Sequence, residues 1–289
     1  MATELAAVLA DYDLGEVADL AALRGAHAGG PHVLTTVIGR FLVKALTPAA
    51  ATPRAVAFRH ALAAHLIAQG VHVPRFVRTR SGEPVARVGA ATWELQEFID
   101  GRPLRGAESG DAALAGETLA ALHQAGADFA PPGLSGGFDS LSIECELDGL
   151  RSMERQVRTY LPAPEVIEQM FYVKHCLEAS ARLLAEADLP AGVIHGNLRR
   201  ESLILDGAGA VWVTGFDACG RGPLLLDVAA LAEAFGGEAV AAYKRQRPLT
   251  QAEKDLGSTA AQLVLIRRGL EEGVGIDAIA RRLAAVTDL

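Results

Sequence analysis

The stretch from Val193 to Asp227, VIHGNLRRESLILDGAGAVWVTGFDACGRGPLLLD, constrains the fold more than any other part of the chain. It alternates short apolar runs with polar or glycine-rich breaks. Val193-Ile194 ends in His195-Gly196. Leu203-Ile204-Leu205 and Val211-Trp212-Val213 flank the turn Asp206-Gly207-Ala208-Gly209. Two apolar runs around a short glycine-containing turn predict a β-hairpin. The loop before such a hairpin can present polar groups from a rigid base.

The segment resembles the aminoglycoside phosphotransferase and choline-kinase-like family. That family's pattern is His-Gly-Asp, four residues, Asn, a strand ending Ile-Asp-Phe, a turn, and Asp-Leu-Ala. Here the same spacing carries His195-Gly196-Asn197, then Ser202, then Thr214-Gly215-Phe216, then Asp227-Val228-Ala229. The turn Phe216 to Pro223 fixes the register. The resemblance implies an α+β, bilobal protein-kinase-like fold, with an antiparallel sheet and one main helix in the N-lobe and a mostly helical C-lobe. It also implies that the catalytic Asp is replaced by Asn197, the metal-binding Asn by Ser202 and the metal-binding Asp by Gly215.

Composition narrows the function class. With 289 residues and 50% hydrophobic content, the chain has ample material for a core. A net charge of -8 argues against nucleic acid as a partner and against a basic membrane-docking face. Cys145, Cys176 and Cys219 lie far from any metal-ligand spacing. The acidic N-terminus is unlike a signal peptide and no apolar run reaches spanning length, so no membrane association and a cytoplasmic location are expected.

Along the chain, residues 3–23 read as one or two short helices broken at Tyr12 to Gly15. Strands follow at Val33 to Val37 and Arg40 to Leu46. Ala55 to Gln69 reads as a helix with Ala57, Ala61, Ala64 and Ile67 on its apolar face and Gly70 as its stop. Val73 to Thr79 and Val85 to Val88 read as a hairpin around Ser81-Gly82-Glu83, and Trp93 to Ile99 as a further strand. Asp100 to Pro103 marks the break between an N-lobe of residues 1–99 and a C-lobe of 100–289, which carries 193–227. In the C-lobe, Gly110 to Ala125 reads as a helix with Leu114, Thr118, Ala121 and Leu122 on one face. Gly126 to Ser140 reads as a loop. Val166, Met170, Val173 and Leu177 mark an amphipathic helix, and Thr250 opens a last helical bundle.

Each candidate site residue has a bland reading beside the chemical one. Lys44 ends an apolar strand, where a lysine can simply reach for water; the resemblance makes it the lysine that reaches the nucleotide phosphates, and that role is preferred. The family's helix glutamate would fall near Arg59 or His60. Neither is acidic, and no Asp or Glu occurs between Leu46 and Gly82, so Lys44 is expected to lack a glutamate partner. Gly29-Gly30-Pro31-His32 puts a proline, which has no N–H, into the phosphate turn. Gln96, Glu97, Phe98 and Ile99 match the hinge whose backbone would pair with adenine.

Asn197 cannot take a proton as a carboxylate does, and general-base help is worth roughly 10²–10⁴-fold. Ser202 offers a metal one neutral oxygen and Gly215 none. Asp217 could be recruited in place of Gly215, but along an extended strand its carboxylate would stand about 6–7 Å away. Arg199 and Arg200 are either a solvated pair or an anion site. His195 and Asp227 read as structural anchors of the loop.

The expectation is a pseudokinase that binds a small-molecule or peptide ligand, or a partner enzyme, with phosphoryl transfer lost or much reduced. The alternative is an active phosphotransferase with displaced residues, which would need ATP and magnesium.

Overall fold

The computed structural model describes residues 2–23, 30–106, 110–130, 138–139, 141–159 and 164–286. Gly29 and most of the expected loop at 126–140 fall outside them. The elements run α1 (Ala2–Ala10), β1 (Val17–Ala22), β2 (His32–Thr36), β3 (Gly39–Ala45), α2 (Pro53–Ala68), β4 (Phe76–Val77), β5 (Ala86–Val88), β6 (Ala91–Glu97), β7 (Gly101–Pro103), α3 (Asp111–Ala125), β8 (Phe138–Asp139), α4 (Glu144–Thr159), α5 (Pro164–Glu186), β9 (Ala191–Ile194), β10 (Leu203–Asp206), β11 (Val211–Val213), β12 (Gly220–Pro223), α6 (Leu225–Phe235), α7 (Gly237–Gln246), α8 (Gln251–Asp255), α9 (Gly257–Glu271) and α10 (Ile276–Ala284).

The chain divides into two units. The first comprises Met1–Leu104, Gln124–Phe138 and Glu201–Gly220; the second comprises Arg105–His123, Asp139–Arg200 and Arg221–Leu289. The expected break near Asp100 is close to the end of the first stretch, but segment 193–227 does not stay whole. Its hairpin joins the first unit because β10 pairs antiparallel with β7, with Ile204 opposite Pro103.

In the first unit an antiparallel sheet has the order β1-β2-β3-β6-β4, with β5 also on β6. Its core gathers Leu5, Val8, Tyr12, Leu14, Leu34, Val43, Trp93 and Leu95. Two expectations are corrected here. Residues 17–22 form a strand, not helix: their Ala-rich sequence favours a helix, yet pairing with β2, Leu20 opposite Leu34, overrides propensity. Strands β4 and β5 are not a hairpin; both pair with β6, with Val77 opposite Leu95 and Ala86 opposite Trp93.

Helix α2 starts where Thr52 caps it, its hydroxyl accepting the Ala55 N–H at 3.2 Å, and Pro53 fills the first turn. Its buried face is Val56, Phe58, Arg59, Leu62, Ala63 and Leu66 rather than the expected Ala57, Ala61, Ala64 and Ile67. In α3 the expected face is met in part: Leu122 is buried, Leu114 and Thr118 are half-buried and Ala121 is exposed, while Ala112, Ala115, Leu119 and His123 complete the buried side. In α2 the alanine stripe offers less apolar area than the Val, Phe and Leu side chains, so the larger groups turn inward.

The second unit is mostly helical. Helix α5 buries Met170, Val173 and Leu177 as the spacing predicts. Helix α6 is almost wholly buried and α9 contributes Leu263 and Ile266 to the core. Among the described residues, no helix is long and apolar enough to cross a membrane.

Candidate active site

In the first unit, β3 and β6 pair so that Lys44 stands opposite Glu94. Directly opposed residues point to the same face of a sheet. The Lys44 ammonium lies 3.4 Å from Glu94 Oε2 and 2.5 Å from Asp217 Oδ1. Glu94 is fully buried, and α2 closes on it from behind. Arg59 donates to Glu94 Oε1 through Nε at 3.0 Å and Nη2 at 2.7 Å, and His60 Nε2 meets the same oxygen at 3.0 Å. The His60 ring is stacked on Phe76.

Lys44 therefore has a glutamate partner, contrary to expectation. The helix carries bases at the positions where the resemblance places an acid, and the acid comes from the strand instead. Burial alone would raise the Glu94 carboxyl, but the His60 hydrogen bond and the Lys44 and Arg59 charges outweigh it and bring it down to about 2. The available signal was a lone acid inside the buried run Trp93 to Gln96; the strand register that pairs it with Lys44 cannot be read from sequence.

The expectation for Asp217 is also corrected. Residue 215 does not continue a strand. Gly215 adopts the left-handed conformation (φ 81°, ψ 39°) and starts a 3₁₀ turn over Phe216–Ala218. That turn swings Asp217 onto the Lys44 ammonium, while its side chain stays 48% exposed. Glycine is suited to this backbone because it carries no Cβ. Ser202 lies at the end of a short 3₁₀ turn leading into β10, and its carbonyl accepts the Thr214 N–H at 2.8 Å. Nearby Cys219 is inert: burial pushes its thiol up to about 12.

Among the described residues no group of three or more His, Cys, Asp or Glu side chains could hold a metal. Magnesium at nucleotide sites needs only one or two carboxylates, because phosphate oxygens and water supply the rest. The half-exposed Asp217 carboxylate is an oxygen donor of the kind that role uses.

The second unit holds the loop after β9. The Asp227 carboxylate fixes it, accepting the His195 N–H at 2.6 Å and the Gly196 N–H at 3.0 Å, with His123 Nε2 at 3.2 Å. Nδ1 of His123 is 2.8 Å from the Tyr243 hydroxyl. Burial would raise the Asp227 carboxyl, but the His123 hydrogen bond and charge, the His195 charge and the Gly196 N–H hold it below the usual range. His195 is fully buried, and Asp227 lies within the first turn of α6.

Asn197 is oriented by its neighbours. Its Nδ2 lies 3.3 Å from both carboxylate oxygens of Glu271, and its Oδ1 accepts from Arg199 Nε at 3.1 Å. Arg199 reaches Glu271 at 2.6 Å and Glu272 at 2.7 Å. Arg200 instead donates from Nε to the Ala234 carbonyl at 2.7 Å. The two arginines therefore do not form a shared anion site: they diverge, and Arg199 faces two carboxylates, whose combined charge repels an anion. Sequence reasoning missed Glu271, which approaches Asn197 only through the packing of α9.

At the expected hinge, Gln96 pairs with Leu42 on β3 and Phe76 on β4. The N–H groups of Glu97 and Phe98 donate to the Arg75 and Arg40 carbonyls at 2.8 and 3.0 Å. Those two donors are engaged within the sheet, so adenine pairing at Gln96 to Ile99 would have to use other backbone groups. The Pro31 carbonyl accepts the Leu23 N–H at 2.9 Å, closing β1 onto β2.

The family described as the phosphotransferase enzyme family matches residues 25–256. A homoserine kinase of Granulibacter bethesdensis is 27% identical over 268 residues, 86% of this chain and 79% of that protein. A homoserine kinase of Methylobacillus flagellatus is 26% identical over 222 residues, 76% of this chain and 65% of that protein, just under two thirds of its length. Among solved structures, a microcompartment-associated aminopropanol kinase aligns with a TM-score of 0.72 at 19% identity, covering 99% of this chain and 98% of that one. A choline kinase from Streptococcus pneumoniae gives 0.63 at 16%, covering 99% of each. These two share the fold expected from the resemblance.

Proposed function

Because the chain belongs to the phosphotransferase enzyme family, we propose that it is an ATP-dependent phosphotransferase acting on a hydroxyl of a small molecule. The observation that carries this is the Lys44–Asp217 contact at 2.5 Å, backed by buried Glu94. Lys44 supplies a fixed cation for nucleotide phosphates. Glu94, itself held by Arg59, keeps that cation in place. Asp217 provides the half-exposed carboxylate that position 215 lacks, and it is the oxygen donor that would hold magnesium. Magnesium, when bound, offsets charge on the phosphates.

The names of the related proteins, homoserine, aminopropanol and choline kinases, suggest the acceptors to try first. The assay is ADP release from ATP with each acceptor and with water alone, with and without magnesium. Magnesium-dependent release stimulated by an acceptor supports the proposal. Absence of ADP release under every condition overturns it.

A pseudokinase that binds a ligand or partner protein is the second reading. It is favoured by Asn197, whose amide occupies the position where the family carries a carboxylate. Nucleotide binding without turnover would select it.

A further inference from the structure

Phosphoryl transfer to a hydroxyl needs a destination for the hydroxyl's proton, and Asn197 has no carboxylate to receive it. A carboxylate nevertheless stands beside it. Glu271 is the last residue of α9, and both of its oxygens lie 3.3 Å from Asn197 Nδ2. The contact is fastened rather than incidental. Arg268, one turn earlier on α9 and largely buried, donates to the Leu198 carbonyl at 2.7 Å, at the residue next to Asn197, and is ion-paired to Glu233 on α6. Arg199 grips Glu271 and Glu272 while donating to Asn197 Oδ1. An arginine has only donors and an ionised glutamate only acceptors, so these partners set which way the Asn197 amide faces. Glu271 remains 58% exposed on its side chain and is therefore accessible to a ligand.

We infer that Glu271 takes the acceptor's proton, with Asn197 and Arg199 as positioning residues. This rests on the phosphotransferase reading above. In the step, the acceptor oxygen bonds to the γ-phosphorus of ATP as its proton moves to a Glu271 oxygen. The bond from the γ-phosphorus to the bridging oxygen breaks, and its electron pair leaves with ADP. Glu271 then returns the proton to water.

The test measures ADP release from magnesium-ATP by the full chain, with water alone and with homoserine, aminopropanol or choline. It compares wild type, Glu271→Gln and the double variant Glu271→Gln/Asn197→Asp, with folding checked by circular dichroism. The expectation for Glu271→Gln is a kcat lowered about 10²-fold or more with KM for ATP within about threefold. Asn197→Asp, by returning a carboxylate to the loop, should recover at least tenfold of that loss. Wild-type turnover with Glu271→Gln within threefold of it overturns this inference alone. A loss that Asn197→Asp does not recover assigns Glu271 to holding Arg199 and also overturns it. A wild type inert under every condition overturns the phosphotransferase reading and this inference with it.

Discussion

Replacing Glu94 by Gln removes the charge at the centre of the Lys44 network while keeping its shape. The Glu94 carboxyl moves from its ordinary 4.5 to about 2 on folding, worth about 3 kcal/mol at about 1.4 kcal/mol per tenfold change. A second route gives a similar figure. Arg59 is 1% exposed and would lose its carboxylate partner, and breaking a buried ion pair costs about 3–5 kcal/mol. Lys44 keeps Asp217, and the Arg59 guanidinium keeps its 3.4 and 3.5 Å contacts to the Ala50 carbonyl, so the lower end applies. The effect carries a pH signature. A carboxyl whose folded value is depressed stabilises the fold above its ordinary range. That contribution is lost as pH falls from about 4.5 toward 2. The gap between wild type and Glu94→Gln should therefore be about 3 kcal/mol at pH 6 and less than half of that at pH 3. Both tryptophans, Trp93 and Trp212, lie in the first unit. Urea unfolding followed by tryptophan fluorescence at several pH values thus reports on the unit concerned. A gap under 1 kcal/mol at pH 6, or one constant from pH 6 to pH 3, would show that the Glu94 charge does not hold this network together.

Other perturbations follow from local geometry. Gly215→Ala forces a side chain into a left-handed position (φ 81°), so it should cost about 1–2 kcal/mol in urea unfolding and weaken magnesium-ATP binding by displacing Asp217. Gly116→Ala would put a Cβ 2.1 Å from the Ala239 carbonyl oxygen and 2.8 Å from the Tyr243 nitrogen; thermal melting by circular dichroism should show a loss of about 1–3 kcal/mol. Thr250 and Glu253 form a capping box, with bonds of 3.2 and 2.9 Å, and Thr250→Ala should cost about 1 kcal/mol by denaturant midpoint.

What could be read in the sequence was local. The hairpin β10–β11 shows in its Asp-Gly-Ala-Gly turn, the body of α2 in the run Ala55 to Gln69 with its Gly70 stop, and α5 in its spacing of apolar residues. Asn197, Ser202 and Gly215 stand out because the motif spacing around them is kept. The rest depended on long-range packing. Strand β1 exists because β2 pairs with it, against the helical preference of its alanines. The acid that holds Lys44 comes from a strand register, and Arg59 turns inward because α2 buries its bulkier face. Glu271 reaches Asn197 from 74 residues away. Gly215 looks like a lost ligand in a linear pattern, whereas its left-handed backbone is the bend that brings Asp217 to Lys44.

If Asp217 has taken over the carboxylate role at the phosphate side, as proposed above, ATP binding must depend on it. Calorimetric titration of ATP, with magnesium and then with EDTA, into wild type and Asp217→Asn tests this directly. Wild type should bind ATP in a magnesium-dependent way, and binding should weaken at least tenfold in Asp217→Asn. Absence of ATP binding by the folded wild type, or equal affinity in both proteins with and without magnesium, would contradict that role for Asp217.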